Sequence, residues 1–501
     1  MDTDGDGVSE QHKFYFVDNG NGTLSLVMDK DLKGNETIVK LTDLSQVAQY
    51  QQAGFSILYV ASQVQDHVTA SNYSWEKSHA KFFLDIGERL GMKVMIYQSS
   101  IYGLVYDPDT KHHGVAESLI GDGYEFATEQ DLEQYIYDVL YVKTNIAGHP
   151  AFYGISLLDE PPVNCLKPLG QVYRAFKKVC PDKYVMINLL PYTETKAKVE
   201  DKNVHFYNFM GRSTTLVEES YPSGSSLYTN MWESAYMNYL NTYYTEIGQY
   251  CGYIQYDNYC LYVAESPMYP ITHTYLRCHQ MVAEFAAEKG LEYKIVHQSR
   301  GSGSQRAPSK EDMWWQVNVS LAFGAKEHSY YTYYPVGNSG GDAPDYDSSI
   351  VDRFGEPNEL YNVVSDINAE LAFMAKALDF FSYKDMVVYT NSAFEFENTN
   401  YLARLKYGEL SNGLTVEIDF ETGAAILVTE LFDETSGQVG YYVVNLTSST
   451  QASSGNVYIT IDGYDFAEIW QDSTINYNTS PDKGINLSLG VGMGAFIIPF
   501  N

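Results

Sequence analysis

The chain has 501 residues and 45% hydrophobic content, more than one hydrophobic core usually organises, so two domains are expected. Its formal net charge of −32 argues against nucleic acid and disfavours polyanionic glycans, since phosphate recognition needs clustered Lys and Arg. No run of eighteen apolar residues occurs, so no membrane-spanning helix is expected.

The first residues, D-T-D-G-D-G-V-S-E after Met1, place Asp2, Asp4 and Asp6 at alternate positions before Gly7. That is the opening of a calcium loop, although Lys13 stands where an EF-hand has its bidentate Glu. A structural calcium at Asp2, Asp4 and Asp6 and a solvated acidic tail are both open readings, and no cofactor is required. No basic and apolar leader precedes this segment. A mature secreted chain reads the same way, so an extracellular or cell-surface setting is expected, with the cytoplasm left open. Residues 14–40 suggest a hairpin turning at Asn19-Gly20-Asn21-Gly22, or the first strand of the next domain.

From about residue 41 helical and strand patterns alternate. Strands are expected at 55–61, 93–98, 152–158, 184–190, 253–256, 293–298 and 327–334. Helices are expected over 41–53, 78–90, 128–148, 167–179, 227–249, 271–289, 309–323 and 356–378. Alternation of this kind implies parallel βαβ units. No G-x-G-x-x-G or G-x-x-x-x-G-K-[ST] follows the early strands, and polar and aromatic residues gather at the strands' carboxyl ends. The pattern therefore reads as an α/β fold, a (β/α)8 TIM barrel over 41–380, its remaining strand sought within 14–40. Beyond about residue 380 short alternating runs separated by Gly, Asn, Ser and Asp predict an antiparallel β-sandwich over 381–501. The segment 1–40 stands apart from both.

The chemistry centres on Phe152 to Pro162, F-Y-G-I-S-L-L-D-E-P-P. A buried strand runs into two acids and is stopped by two prolines, which sets Asp159 and Glu160 where barrels bind ligands. Asp159 alone would also suit a helix cap, but Glu160 has no capping role there. Neighbours on a strand face opposite sides, so Glu160 is taken as general acid/base and Asp159 as a supporting group pairing with a barrel Arg or Lys. Around it Tyr97, Gln98, Asn188, Tyr256, Tyr259, Gln298, Arg300, Tyr331 and Tyr333 lie near strand ends, suited to orienting hydroxyls or stacking on sugar rings. The 45 tyrosines fit such a cleft, because each offers an apolar face with a polar edge. Five cysteines without a C-x-x-C pair indicate neither a zinc site nor a disulfide framework. There is no G-x-S-x-G elbow and no H-E-x-x-H.

Several segments resemble glycoside hydrolases built on a (β/α)8 barrel, of the broad β-galactosidase-like clan, and within it bacterial proteins with D-E-P after the fourth strand. They are Gly154 to Pro161, Tyr256-Asp257-Asn258-Tyr259, His297-Gln298-Ser299, Trp315-Gln316-Val317-Asn318, Leu321 to Ala325 and Gly492 to Ile497. The resemblance implies that Glu160 is the acid/base and that a Glu nucleophile ends strand seven, where this chain has Gln298. Asp257 is the substitute, as nucleophile, as the base of an inverting reaction, or as a ligand of sugar hydroxyls. Glu265 is a weaker candidate, and Glu327 is discounted as lying at the barrel's bottom. The expected activity is hydrolysis of O-glycosidic bonds in a neutral oligo- or polysaccharide. The alternative is a non-catalytic glycan-binding protein on a degenerate barrel. Sugar, linkage and oligomeric state are not encoded legibly.

Overall fold

A computed structural model describes residues 44–60, 74–107, 126–194, 209–210, 226–264, 271–334 and 349–501, with short breaks at 99, 302, 353–355, 395–399, 403, 412 and 451–452. It also describes four isolated strands nearer the amino terminus. The fold is α/β with a carboxyl-terminal antiparallel β-sandwich. Strands β1 (Phe14–Asp18), β2 (Leu24–Met28) and β3 (Thr37–Val39) pair antiparallel with one another. The segment expected to supply a barrel strand thus forms its own small sheet, because its short apolar runs pair with one another; the turn expected at Asn19-Gly20-Asn21-Gly22 lies outside the described residues. The acids Asp2, Asp4 and Asp6 lie outside the described residues, as does Glu265.

Helix α1 (Leu44–Gln52) opens the alternating region. Strands β4 (Ile57–Val60) and β5 (Lys93–Ile96) follow, then an antiparallel pair β6 (Leu104–Asp107) and β7 (His112–Val115), which the helical period gave no reason to expect. Next come β8 (Phe152–Asp159), β9 (Tyr184–Asn188), β10 (Tyr253–Asp257), β11 (Glu292–Gln298) and β12 (Ala325–Tyr331). All but β6 and β7 pair parallel in chain order, β4-β5-β8-β9 and β10-β11-β12. A parallel bridge from Leu189 to Tyr256 joins the two sets. Seven parallel strands are therefore present among the described residues, and their ends approach through rings. Phe55, just before β4, meets Tyr330 of β12 edge-on at 5.8 Å.

The crossovers are helices α2 (His79–Leu90), α3 (Glu129–Tyr137), α4 (Val163–Val179), α5 (Ser226–Tyr243), α6 (Tyr275–Lys289) and α7 (Lys310–Ala322), with α8 (Glu359–Leu378) last. Their starts follow capping chemistry. Ser78 and Thr128 accept from the backbone N–H of Lys81 and Asp131, and Ser309 with Asp312 forms a reciprocal box. Helix α8 docks on α1, Tyr361 donating to Gln49 O at 2.7 Å and Asn368 to Ala53 O at 2.7 Å. The barrel's lower interior holds a tier of side chains. Tyr153, Tyr184 and Tyr253 stack in series at 5.3 Å, and Lys294 lies over two of them while paired to Glu327 at 2.8 Å. Glu327 is occupied there, far from the strands' carboxyl ends.

The sandwich has a six-stranded sheet in the order Ser382–Thr390, Ala425–Asp433, Gln438–Asn445, Gly494–Phe500, Phe466–Gln471, Thr474–Asn478. Facing it is a three-stranded sheet of Leu414–Phe420, Gly455–Ile461 and Ile485–Leu489, and between them lies their own apolar core. Helix α7 makes part of the contact with this region. Trp315 Nε1 donates to Leu446 O at 3.0 Å, Asn318 Nδ2 to Gly492 O at 2.9 Å, and Tyr442 OH to Asn318 Oδ1 at 2.7 Å.

Gly492 has φ +70°, and a Cβ there would stand 2.6 Å from the Trp315 backbone. Gly437 has φ +76° with open space around it. A left-handed residue other than glycine costs about 1–2 kcal/mol, and overpacking adds about 1–3 kcal/mol. Gly492→Ala is expected to lower the thermal midpoint clearly more than Gly437→Ala; equal shifts in calorimetry would contradict this packing of α7 on the sandwich.

Candidate active site

Strand β8 delivers two acids to the barrel's mouth because its apolar run, Ile155 to Leu158, is buried and cannot continue through Pro161 and Pro162. The chain breaks its alternation at this point. Glu160 lies just past the strand with φ +46°, a conformation uncommon for a non-glycine residue. Its N–H donates to Asn188 O at 2.8 Å. The side chain of Asn188 donates to Asp159 Oδ1 at 2.9 Å, so one residue at the end of β9 holds both acids. The expected Arg or Lys partner of Asp159 gives way to this amide.

The turn brings Glu160 toward Asp257, at the end of β10, close enough for each carboxyl to act on the other. Alternation along an unbroken strand had set Asp159 and Glu160 on opposite faces; the backbone turn at Glu160 places Asp159 close enough for its charge to act on both other acids. Asp159 and Glu160 are both exposed on the open side, although many protein atoms lie around their carboxyls on the other. Burial is the largest influence on Glu160, followed by the charges of Asp257 and Asp159, and its pKa is pushed up to about 8. Asp257 is 5% exposed. Burial, then the charge of Asp159, raises it to about 7, against the hydroxyl of Tyr259, which favours the ionised form. Two close carboxyls cannot both ionise easily, so the pair holds a proton near neutrality and titrates as a unit.

Aromatic rings wall the mouth on two sides. On one, Tyr97 and Tyr102 lie 4.3 Å apart, and Tyr59, 37% exposed, joins them beside Asp159. On the other, Tyr259 stacks on Tyr331 at 5.3 Å, with the Arg300 guanidinium 5.8 Å from the Tyr331 ring. Asp257 Oδ1, Asn188 Oδ1 and Asn258 Nδ2 are buried with no hydrogen-bond partner among the described residues. Buried polar atoms ordinarily find partners, and these three lie at the ends of β9 and β10.

Not every expected residue faces this space. Tyr256 is fully buried, its hydroxyl 2.9 Å from that of Tyr293 and its ring against His279 in the helix layer, because it is one position out of phase with Asp257. Gln298 uses its whole amide internally. It accepts from Leu261 N at 3.0 Å and donates to Arg300 O and Arg306 O at 3.1 and 3.0 Å, pinning the loops rather than offering itself to a ligand. Gln98 is buried and accepts from Ser100 N at 2.8 Å, leaving only its Nε2 unpartnered among the described residues. Tyr333 packs against Tyr50 and Phe55. Tyr59, Tyr102 and the helix residue Tyr239 were not singled out from sequence, since nothing in their local pattern distinguishes them from the other tyrosines.

No family model matches the chain, and no curated protein matches it. Among solved structures it is similar to a family 39 glycoside hydrolase from the gut symbiont Bacteroides cellulosilyticus WH2, at 11% identity, 97% of this chain and 88% of that one, TM-score 0.44. It is also similar to a family 5 glycoside hydrolase from Bacteroides vulgatus ATCC 8482, at 9% identity over 91% and 85%, TM-score 0.46. A third is a family 27 β-L-arabinopyranosidase from Geobacillus stearothermophilus in complex with arabinose, at 7% identity over 91% and 93%, TM-score 0.43. Likeness of this degree assigns no activity, so function rests on the site's own chemistry.

Asp257 supplies a stability test. Its folded pKa lies above the unfolded value, so the native state holds more protons than the unfolded chain between about pH 4 and 7, and stability falls as pH rises through that window. Asp257→Asn removes the penalty. Its thermal midpoint is expected to gain on the wild type as pH rises from 4 to 7 and to hold that gain above; a difference independent of pH would show that Asp257 is not perturbed as described.

Proposed function

We propose that the chain is a glycoside hydrolase that cleaves O-glycosidic bonds of a neutral oligo- or polysaccharide, with Glu160 as proton donor and Asp257 as its partner. The observation that carries this is the meeting of the two carboxyl groups at the ends of β8 and β10, the strands on either side of β9, in a mouth walled by tyrosines. A general acid works best when its pKa lies near the working pH, and Glu160 at about 8 is protonated at neutrality. Asp257 is then the group that ionises first and faces the sugar's anomeric carbon.

Separations of about 5–5.5 Å accompany retention, and about 6.5–9.5 Å leaves room for the water of an inverting reaction. The strong mutual influence of the two carboxyls argues against a gap wide enough for that water. Asp257 in this reading forms the glycosyl ester while Glu160 protonates the leaving oxygen, and Glu160 then takes a proton from the water that releases the sugar. The stacked Tyr259–Tyr331 pair and the Tyr97–Tyr102 pair offer apolar faces to sugar rings. Neutral sugar suits the site because the three acids repel anions.

Glu160→Gln is expected to lose about 100- to 10,000-fold in turnover on whichever member of a glycan panel the wild type cleaves, read as new reducing ends. The wild-type rate should describe a bell whose limbs fall near about pH 7, where Asp257 must ionise, and about pH 8, where Glu160 must stay protonated. Glycan binding without release of reducing ends by the wild type would favour the glycan-binding alternative.

A further inference from the structure

The D-E-P-P turn has an unusual shortage of backbone donors. Pro161 and Pro162 have no N–H, which leaves Glu160 N, bonded to Asn188 O at 2.8 Å, as the turn's own tie. Past it, the turn can be fixed only through its carbonyls. Pro162 O receives Cys165 N at 2.9 Å as α4 begins. Pro161 O receives the hydroxyl of Tyr239 at 2.7 Å, and that same hydroxyl accepts from Leu190 N at 3.3 Å. Tyr239 belongs to α5, is fully buried, and ties the segment past β8 to the segment past β9. Its ring is held by Phe209 and Tyr236, with centroids 5.5 and 6.1 Å away.

Glu160 lies between these ties in a backbone conformation that costs energy unless its surroundings fix it. We propose that Tyr239 is a positioning residue whose hydroxyl fixes the turn so that the Glu160 carboxyl is held against Asp257. The inference rests on the reading of Glu160 as proton donor. Tyr239 touches backbone carbonyl and amide, not the substrate, so it acts through Glu160. The groups facing Glu160 and Asp257 are Asp159 from β8, Tyr259 just beyond β10, Tyr239 itself from α5 and, behind Asp257, the Cys278 thiol of α6. Without the phenol oxygen Pro161 O loses its partner, the turn relaxes, and Glu160 moves away from Asp257. Its carboxyl then feels less of the neighbouring charge.

The test labels glutamate side-chain carboxyls with ¹³C and follows them by NMR across pH, using Glu160→Gln to assign the Glu160 signal. In the full-length protein that signal is expected to titrate well above the ordinary carboxylate range, and in Tyr239→Phe to fall back toward it, with turnover reduced about 10- to 100-fold at little change in KM. A folded Tyr239→Phe protein with the wild-type midpoint overturns the proposal. Should that variant not fold, 4-aminophenylalanine at position 239 keeps a donor for Pro161 O. Folding with the wild-type midpoint supports the proposal, and folding with a depressed midpoint overturns it. The titration needs no substrate, so its failure is separate from that of the glycosidase reading, which falls only if the wild type hydrolyses nothing.

Discussion

One backbone angle governs the site. Had Glu160 continued β8, its carboxyl would point away from the face that Asp159 and Asp257 share. With φ +46° it turns toward Asp257 instead, and three acids from two strands come together. Everything that surrounds the turn serves to hold it: the two prolines end the strand, Asn188 grips both acids, and the tyrosine hydroxyl on α5 closes the far side. Strain at such a residue persists only where its surroundings over-determine it, and here they do.

From that juxtaposition follow the electrostatics. Like charges at short range, on a floor of buried strand, make full ionisation unfavourable, and no Arg or Lys is among the groups acting most strongly on Glu160 or Asp257. Arg300 stands at the mouth over the Tyr331 ring, and other cations are paired farther away. Lys294 is committed to Glu327 in the tier below, and Arg404 and Lys406, from the segment between sandwich strands, bond Glu194 and Glu233 of the barrel region. Those pairs, with the Trp315 and Asn318 contacts, hold the sandwich side against the helices rather than neutralising the mouth.

Much of this was legible in the residues. The strand–helix alternation located all seven parallel strands within a few positions, because buried parallel strands are continuous apolar runs and helices carry a different period. The motifs around Trp315 and Gly492 lie far apart in the chain and meet in the fold, the glycine leaving room for the tryptophan backbone. What sequence could not give was phase and partner. Tyr256 stands next to Asp257, yet faces the helices. Gln298 ends its strand as a site residue would, yet spends its amide on three backbone groups. Tyr239 is an ordinary helix tyrosine until the fold sets it beside Pro161. The segment 14–40 read equally well as a hairpin or a barrel strand, since short apolar runs suit both.

The central claim is that Glu160 and Asp257 hold a proton between them at neutral pH. Infrared spectroscopy reads it directly, through the carbonyl stretch of a protonated carboxylic acid, which ionised carboxylates lack. The account predicts such a band in the wild-type protein at pH 7 that is absent from Glu160→Gln. A wild-type spectrum at pH 7 with no more of that band than Glu160→Gln would contradict it.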